Sequence, residues 1–321
     1  MPFRITIAGD IGSGKSTVAK KLAEWLGVEP LSTGGIQRQL AQQRRLSVLE
    51  LNKLAEEDPS IDREIDGYLM RLPAGDLVVE SRMAWHFVPN TLKLYLYIAD
   101  GAAARRIIGA QRIDEDYGTI ANAAQPIMAR RRSEIIRFKK YYNVDIDDLR
   151  NYDLVIDTTF ATVDEVVEQV RQYKSFESLP ACLIDPRNLL PTRLLTQSVE
   201  ASSDRPMTSG MTSGMTSGAS ATSRPLITLY VDHVFYIVEG HTRAAAAVRQ
   251  GMRFVMCSIA ASNDEPYTRG LTARQYIRAA VHDSLVHDWE AAVGFHYQEE
   301  MWKGRAGAAG MPEFTIQSRF R

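Results

Sequence analysis

The sequence has only two cysteines in 321 residues, Cys182 and Cys257, and they are far apart along the chain. Without CxxC spacing, they argue against a disulfide framework or a zinc site and fit a reducing compartment. No apolar run approaches the roughly 20 residues that span a bilayer, and the start lacks the charged-then-apolar order of a signal peptide. We therefore expect a cytoplasmic protein that does not contact a membrane.

The chain also lacks an excess of charge of either sign, since 38 basic and 39 acidic residues give a formal net charge of −1. Overall electrostatics therefore give no reason to expect nucleic-acid binding, although a local basic segment such as RRRSEIIRFKK at 130–140 could contact phosphates. The composition, 45% hydrophobic and 24% charged, is typical of a globular protein.

Apolar strand patterns alternate with helical ones through the first half of the chain, as in FRITIAG, DLVVES, LKLYLYIA and YDLVIDT. This alternation predicts an α/β fold with a parallel sheet and helices on both faces. We place this domain at 1–175. A smaller α+β domain is predicted to begin at 176–199 and to continue through 225–303, followed by an irregular tail at 304–321.

Three tandem MTSG units lie between the two parts of the second domain, in the segment 200–224. A Ser/Thr/Gly-rich segment cannot bury a hydrophobic core. We interpret it as a flexible loop.

The segment GDIGSGKST at 9–17 matches the P-loop pattern on a predicted strand-to-helix turn. In this pattern backbone N–H groups and the helix N-terminus hold phosphates, the lysine reaches the β- and γ-phosphates, and the serine binds Mg²⁺. The predicted ATP site comprises Gly9, Asp10, Ile11, Gly12, Ser13, Gly14, Lys15, Ser16 and Thr17, with Ser16 as the Mg²⁺ ligand.

Further motifs follow the P-loop in order: LSTGGIQRQLAQQRR, LVVESR and RRRSEIIRFKKYYNVDIDDLRNYDLVIDTT. Together they resemble the archaeal type of cytidylate kinase over nearly all of residues 3–172. The resemblance implies a nucleoside-monophosphate-kinase fold, ATP and Mg²⁺ as cofactors, and a pyrimidine acceptor. It also implies that Arg38 and Arg82 hold the acceptor and that Arg130 and Arg137 neutralise the transferring phosphoryl group.

Two carboxylates bear on the identity of the acceptor. Asp10 stands where archaeal cytidylate kinases typically have a proline, and in some other P-loop kinases an acidic residue there contacts a substrate hydroxyl. Glu80 ends a buried strand, and a carboxylate there suits transfer to an alcohol, which must lose a proton. The alternative for Glu80 is a role in which it forms hydrogen bonds to the ligands of Mg²⁺.

A second glycine turn, EGHTRAAAAVRQG at 239–251, resembles the ParB-like superfamily, with PACLIDPRNLLPT before it and RFVMCSI after it. The resemblance implies a phosphate site formed by Glu239, Gly240, His241, Thr242 and Arg243. The alternative is a degenerate domain retained for docking.

A chain that combines a cytidylate-kinase-like part with a ParB-like part resembles the kinases of phages that hypermodify thymine. This resemblance implies ATP-dependent phosphorylation of the hydroxymethyl group of 5-hydroxymethyluracil in DNA, with modified DNA as the partner and the host cytoplasm as the location. Two alternatives stay open: a kinase for free cytidylate or another pyrimidine nucleotide, and a nucleotide-gated DNA-binding module without transfer.

Overall fold

A computed structural model describes residues 2–109, 120–175, 181–195 and 224–296. Its strands are β1 (Arg4–Gly9), β2 (Leu31–Ser32), β3 (Leu77–Glu80), β4 (Leu92–Tyr97), β5 (Leu154–Asp157), β6 (Ala181–Ile184), β7 (Leu189–Pro191), β8 (Leu226–Val231), β9 (Val234–Glu239), β10 (Val255–Ser262), β11 (Pro266–Thr268) and β12 (Leu271–Thr272). The predicted MTSG loop and the tail at 304–321 lie outside the described residues.

The helices lie between these strands or after them. They are α1 (Lys15–Leu26), α2 (Thr33–Gln43), α3 (Val48–Glu57), α4 (Ser60–Leu69), α5 (Ala84–Phe87), α6 (Asp100–Gly109), α7 (Ile120–Tyr142), α8 (Val163–Ser175), α9 (His241–Arg249), α10 (Ala273–Ala280) and α11 (Asp283–Val293). Short 3₁₀ turns occur at Leu149–Asn151 and Pro186–Asn188.

The described strands form one large sheet with the order β2-β3-β1-β4-β5-β6-β10-β8-β9-β7, and β11 pairs with β12 separately. The pairs from β2 to β6 are all parallel. Apolar residues of β1, β4 and β5 pack against α1 and α8 on one face, and a second core that includes α7 covers the other. The predicted α/β fold with a parallel sheet covered on both faces is therefore confirmed.

The sheet continues across residue 175, the predicted end of the first domain. Strand β6 pairs with β5 in parallel and with β10 in antiparallel orientation, and β8 and β9 follow. A single hydrophobic core also runs from Tyr95 and Phe138 to Phe235 and Trp289. We therefore describe residues 181–195 and 224–296 as the C-terminal module, which extends the sheet of the first 175 residues.

Strands β8 and β9 form a hairpin whose two loop residues, Asp232 and His233, both have positive φ (50° and 66°). This is the conformation of a tight two-residue turn, which asparagine, aspartate and histidine adopt more readily than most residues. Three strands separate β4 from β8 in the sheet order, yet the hydroxyl of Tyr97 in β4 donates to the His233 carbonyl over 3.0 Å. The sheet therefore curls and brings the hairpin turn next to β4.

The two cysteines are neighbours in the fold, although they are far apart in sequence. Cys182 in β6 lies opposite Cys257 in β10, both side chains are buried, and both thiols are free. Burial raises the pKa of both thiols, which suits a packing role.

Candidate active site

The P-loop connects the carboxyl end of β1 to the start of α1. Gly9 has φ +143°, and a Cβ placed on it would lie 2.3 Å from the Leu96 carbonyl oxygen in the adjacent strand. Gly12 and Gly14 also have positive φ, 82° and 85°, which glycine adopts without steric cost. The turn thus places the first N–H groups of α1 at the carboxyl edge of the sheet, where α/β proteins bind ligands.

Lys15 lies folded over this loop. Its ammonium group donates to the Gly9 carbonyl over 3.0 Å and also to the Asp10 carbonyl. Burial lowers the pKa of Lys15 to about 7, the nearby Arg82 guanidinium adds to this shift, and the Glu80 carboxylate opposes it. The lysine is therefore poised to gain charge when an anion arrives.

This environment makes ATP binding dependent on pH. The pKa of Lys15 in the free protein is about 7, so the charged form is lost as the pH rises through 7. Nucleotide phosphates stabilise the charged form, so we expect ATP binding at pH 8 to take up about one proton. Calorimetry in buffers of different ionisation enthalpy measures this uptake. Equal heats in all buffers would contradict it, and Lys15→Gln should abolish it.

Glu80 lies at the carboxyl end of β3 beside the P-loop. Its side chain accepts a hydrogen bond from the Ser16 hydroxyl over 3.0 Å, and the Thr33 hydroxyl donates to its backbone carbonyl over 3.4 Å. The structure thus joins the predicted Mg²⁺ ligand to the predicted base. This contact is compatible with both roles that the sequence leaves open for Glu80.

Asp10 is buried, and both of its carboxylate oxygens have partners. The Tyr95 hydroxyl donates to Oδ1 over 2.8 Å and the Ile98 amide to Oδ2 over 3.0 Å. Arg131 forms an ion pair with Oδ1, and His233 Nε2 lies 3.0 Å from Oδ2. Burial favours protonation, but Arg131 and His233 hold the pKa of Asp10 well below its usual range. This differs from the expected contact with a substrate hydroxyl, because the carboxylate binds groups of the protein itself.

The predicted arginines lie in different environments. Arg82 is close enough to Lys15 to shift its pKa and forms an ion pair with the buried Glu134. Arg38 is exposed on α2, one turn after Gly34. The side chain of Arg130 lies outside the described residues.

Arg137 differs most from its expected role at the transferring phosphoryl group. Its side chain is 1% exposed and its Nε lies 3.1 Å from Oδ2 of Asp62, which is itself 5% exposed. This ion pair joins α7 to α4. The structure thus places Arg137 in the protein interior, where it compensates a buried carboxylate.

A cavity next to the P-loop is lined both by predicted site residues and by several residues that the sequence analysis did not select. Its lining consists of Ala8, Gly9, Asp10, Ile11, Arg82, Tyr95, Ile98, Asp100, Ala103, Arg131, Ile135, Ile146, Asp147 and Tyr152. Arg131 is the central charge, because it pairs with both Asp10 and Asp147. The sequence signal for it is the basic run at 130–132, but adjacent helical residues point about 100° apart, so the run alone does not show which one faces the cleft.

Arg106 in α6 is a second residue missed from sequence. Its guanidinium donates to the carbonyls of Gly12 over 3.4 Å and Thr158 over 2.5 Å. It therefore ties the P-loop to the segment that follows β5.

The second glycine turn is closely packed. Gly240 has φ +101°, and a Cβ there would lie 2.5 Å from Leu226. His241 is buried, its Nε2 accepts from the Thr192 amide over 3.1 Å, and burial together with Arg193 lowers its pKa to about 4. A neutral, buried imidazole is a poor ligand for phosphate.

The remaining residues of that turn are also placed by the structure. Arg243 donates to the carbonyls of Arg224 and Pro225, and Glu239 lies 3.1 Å from the Arg224 guanidinium. Thr242 is half-buried. The turn thus anchors the chain that enters β8. The phosphate site that the resemblance implies there stays a prediction, beside the docking alternative.

Within the described ranges, no three His, Cys, Asp or Glu side chains cluster in a way that could hold a metal ion. No helix in that part of the chain is long and apolar enough to cross a membrane.

Known proteins are similar to part of this chain. Residues 5–127 match a family model described as an AAA domain. The cytidylate kinase of Halobacterium salinarum is 41% identical over 179 residues, which cover 53% of this chain and 91% of that protein. The cytidylate kinase of Methanothermobacter thermautotrophicus is 40% identical over 156 residues, with coverages of 48% and 94%.

A solved structure is similar at a lower level. The shikimate kinase from Acinetobacter baumannii in complex with shikimate is 16% identical, with a TM-score of 0.37, over 56% of this chain and 96% of that one. The alignments to the two curated relatives thus span nearly all of each relative but only about half of this chain.

Proposed function

The chain belongs to the cytidylate kinase family and is an ATP-dependent phosphotransferase that uses Mg²⁺, and from this premise we propose that its acceptor is 5-hydroxymethyluracil in DNA. The reaction transfers the γ-phosphoryl group of ATP to the hydroxymethyl oxygen. Its products are ADP, 5-phosphomethyluracil in DNA and one proton.

The observation that carries this proposal is the C-terminal module. The alignment to a cytidylate kinase covers 91% of that protein but only 53% of this chain. The parts needed for transfer to a free nucleotide therefore do not account for the remaining residues of this chain. That remainder contributes strands to the same sheet and a histidine to the P-loop. A built-in module that resembles the ParB-like superfamily supports an acceptor within DNA.

The residues at the P-loop fit ATP and Mg²⁺. Gly9 leaves no room for a side chain, Lys15 lies folded onto the loop, and Ser16 faces the Glu80 carboxylate. When bound, ATP would supply the phosphoryl group and Mg²⁺ would neutralise the negative charge of that group. Lys15 and the N–H groups of the loop would hold the phosphates, and Ser16 would bind the metal ion.

Glu80 suits an alcohol acceptor in this arrangement. The hydroxymethyl oxygen must lose its proton as the new P–O bond forms, and a carboxylate at the edge of the cleft can accept it. The oxygen of a nucleotide phosphate is already ionised and needs no such base. A base in duplex DNA is reached by flipping it out of the stack, and a pocket of the cytidylate-kinase type would receive the extruded pyrimidine.

The identity with cytidylate kinases favours a second candidate, transfer to free CMP or dCMP. Phosphorylation assays with γ-labelled ATP separate the candidates. The acceptors are DNA that contains 5-hydroxymethyluracil, the same DNA with thymine, and free CMP or dCMP. Label only on the modified DNA is the expected result. Label on CMP or dCMP would replace the proposal with the second candidate, and ATP hydrolysis without transfer would indicate a nucleotide-gated binding module.

Glu80→Gln tests the proposed base. We expect kcat on modified DNA to fall by about 10²- to 10⁴-fold at saturating Mg²⁺, because general-base catalysis contributes effects of that size. ATP affinity should change little. Steady-state kinetics and calorimetry measure the two effects.

The matched control is Glu24→Gln, the same change at an exposed position on α1, which should keep the wild-type rate. If Glu80 acts only on the ligands of Mg²⁺, excess Mg²⁺ should restore the rate of Glu80→Gln. Such rescue, or an unchanged kcat, would rule out Glu80 as the base.

A further inference from the structure

A side chain of the C-terminal module reaches the P-loop, that of His233 in the turn between β8 and β9. Its Nε2 lies 3.0 Å from Asp10 Oδ2 and its Nδ1 lies 2.8 Å from Asp100 Oδ1. Only 8% of the side chain is exposed. The imidazole therefore bridges the P-loop and the first residue of α6, which both belong to the first 175 residues.

Aromatic side chains hold the ring in this position. Its centroid lies 4.7 Å from that of Tyr97 and 6.1 Å from that of Tyr230. The backbone is fixed as well, because the Tyr97 hydroxyl donates to the His233 carbonyl. The contacts thus position the histidine through both its ring and its main chain.

Charged groups surround the ring from every neighbouring element. Asp10 comes from the P-loop, Asp100 from α6 and Arg131 from α7, and Asp147, from the segment after α7, joins the group through its ion pair with Arg131. The titratable hydroxyls are those of Tyr95 and Tyr97 in β4 and Tyr230 in β8. These three carboxylates outnumber the one guanidinium, so a second positive charge would stabilise the group.

The two ring nitrogens indicate how this charge is supplied. Nε2 is hydrogen-bonded to Asp10, and Nδ1 lies 2.8 Å from an Asp100 oxygen, so an imidazolium would form an ion pair with both carboxylates. Nε2 also lies 2.8 Å from Arg131 Nη1, a contact that would suit a neutral ring with Nε2 as acceptor. Burial and Arg131 lower the pKa of His233, but Asp10 and Asp100 outweigh them and raise it above its ordinary value.

We propose that His233 is a positioning residue for phosphoryl transfer: as an imidazolium it holds Asp10, and through Asp10 it fixes the P-loop and Arg131. Asp10 shares its carboxylate between His233 and Arg131, so the hairpin, the P-loop and α7 meet at one group. The C-terminal module thereby completes the kinase site. This inference depends on the kinase activity and is independent of the identity of the acceptor.

His233→Asn is the informative variant, because asparagine tolerates the positive φ of the turn but is too short to bridge both carboxylates. We expect kcat to fall by about tenfold or more, because small displacements of reacting groups can cost up to about 10²-fold in rate. The KM for ATP should change less. Steady-state kinetics with the acceptor that the labelling assays identify measures both, and ATP hydrolysis serves if transfer is absent.

The pH profile separates a positioning role from simple support of the fold. The pKa of His233 is raised, so its charge is present at and below its ordinary pKa of 6.5 and is lost as the pH rises through the higher folded value. Wild-type kcat should show a decline on the alkaline side that His233→Asn lacks. The matched control is Asp232→Asn, the adjacent turn residue, which faces Arg274 and should keep the wild-type pH profile.

The ¹⁵N NMR spectrum of the wild-type protein tests the charge directly and does not depend on whether the variant folds. Two protonated ring nitrogens at pH 7 would support the proposal. A neutral ring, or a His233→Asn variant with wild-type kcat and pH profile, would overturn it.

Discussion

Gly9→Ala is expected to abolish ATP binding and to destabilise the fold. The added Cβ would lie 2.3 Å from the Leu96 carbonyl oxygen, which also accepts the Asp10 amide over 3.0 Å. These are backbone atoms in the middle of a sheet, so β1 and β4 would have to separate. Overpacking costs about 1–3 kcal/mol, and the φ of +143° adds strain of about 1–3 kcal/mol for a residue with a side chain. Urea unfolding and ATP calorimetry measure the two losses.

The control is Gly35→Ala, in α2, where an added Cβ would meet no atom within 4 Å. Alanine favours a helix over glycine by up to about 1 kcal/mol, so its free energy of unfolding should be unchanged or slightly higher. Wild-type ATP affinity in Gly9→Ala would show that the loop does not need glycine at this position.

Arg137→Leu is expected to lower the free energy of unfolding by about 3–5 kcal/mol, because it leaves a buried carboxylate without its counter-charge. Asp62 is 5% exposed, and burial already raises its pKa while Arg137 opposes that rise. Urea unfolding at pH 7 measures the loss.

A double variant separates this structural role from the catalytic role that the sequence suggested. Replacing both Asp62 and Arg137 by leucine removes both buried charges, so most of the stability should return. If Arg137 acted on the transferring phosphoryl group, the folded double variant would still lose about 10²- to 10³-fold in kcat. A near-normal kcat in that variant would assign Arg137 to the fold alone.

The local motifs of this protein were predictable from sequence. Gly9, Gly14, Lys15 and Ser16 lie within nine consecutive residues, so a strand, a turn and a helix suffice to bring them together. The alternation of strands and helices likewise predicted the parallel sheet, because a buried strand and an amphipathic helix carry different periodicities. Glu80 was also predictable as a carboxylate at the end of a buried strand.

Contacts between distant segments were not predictable in this way. The sequence analysis selected Arg130 and Arg137 on α7, whereas the structure directs Arg131 to Asp10 and Arg137 to Asp62. All three arginines are on one helix, and only the packing of that helix decides which faces the cleft. The glycine turn at Gly240 matched a phosphate-binding pattern, but its imidazole is buried against Thr192.

The sequence by itself determined the phosphate-binding loop and the parallel sheet, because these depend on residues close together in the chain or on regular periodicity. The kinase family was indicated by the resemblance of its ordered motifs to those of cytidylate kinases. The tertiary structure alone decided that Cys182 lies opposite Cys257 and that His233 reaches Asp10 across 223 positions. Such pairs carry no local signal, since a side chain meets a distant partner only after the sheet has curled and the core has packed. The partners of Asp10 are therefore a property of the whole fold.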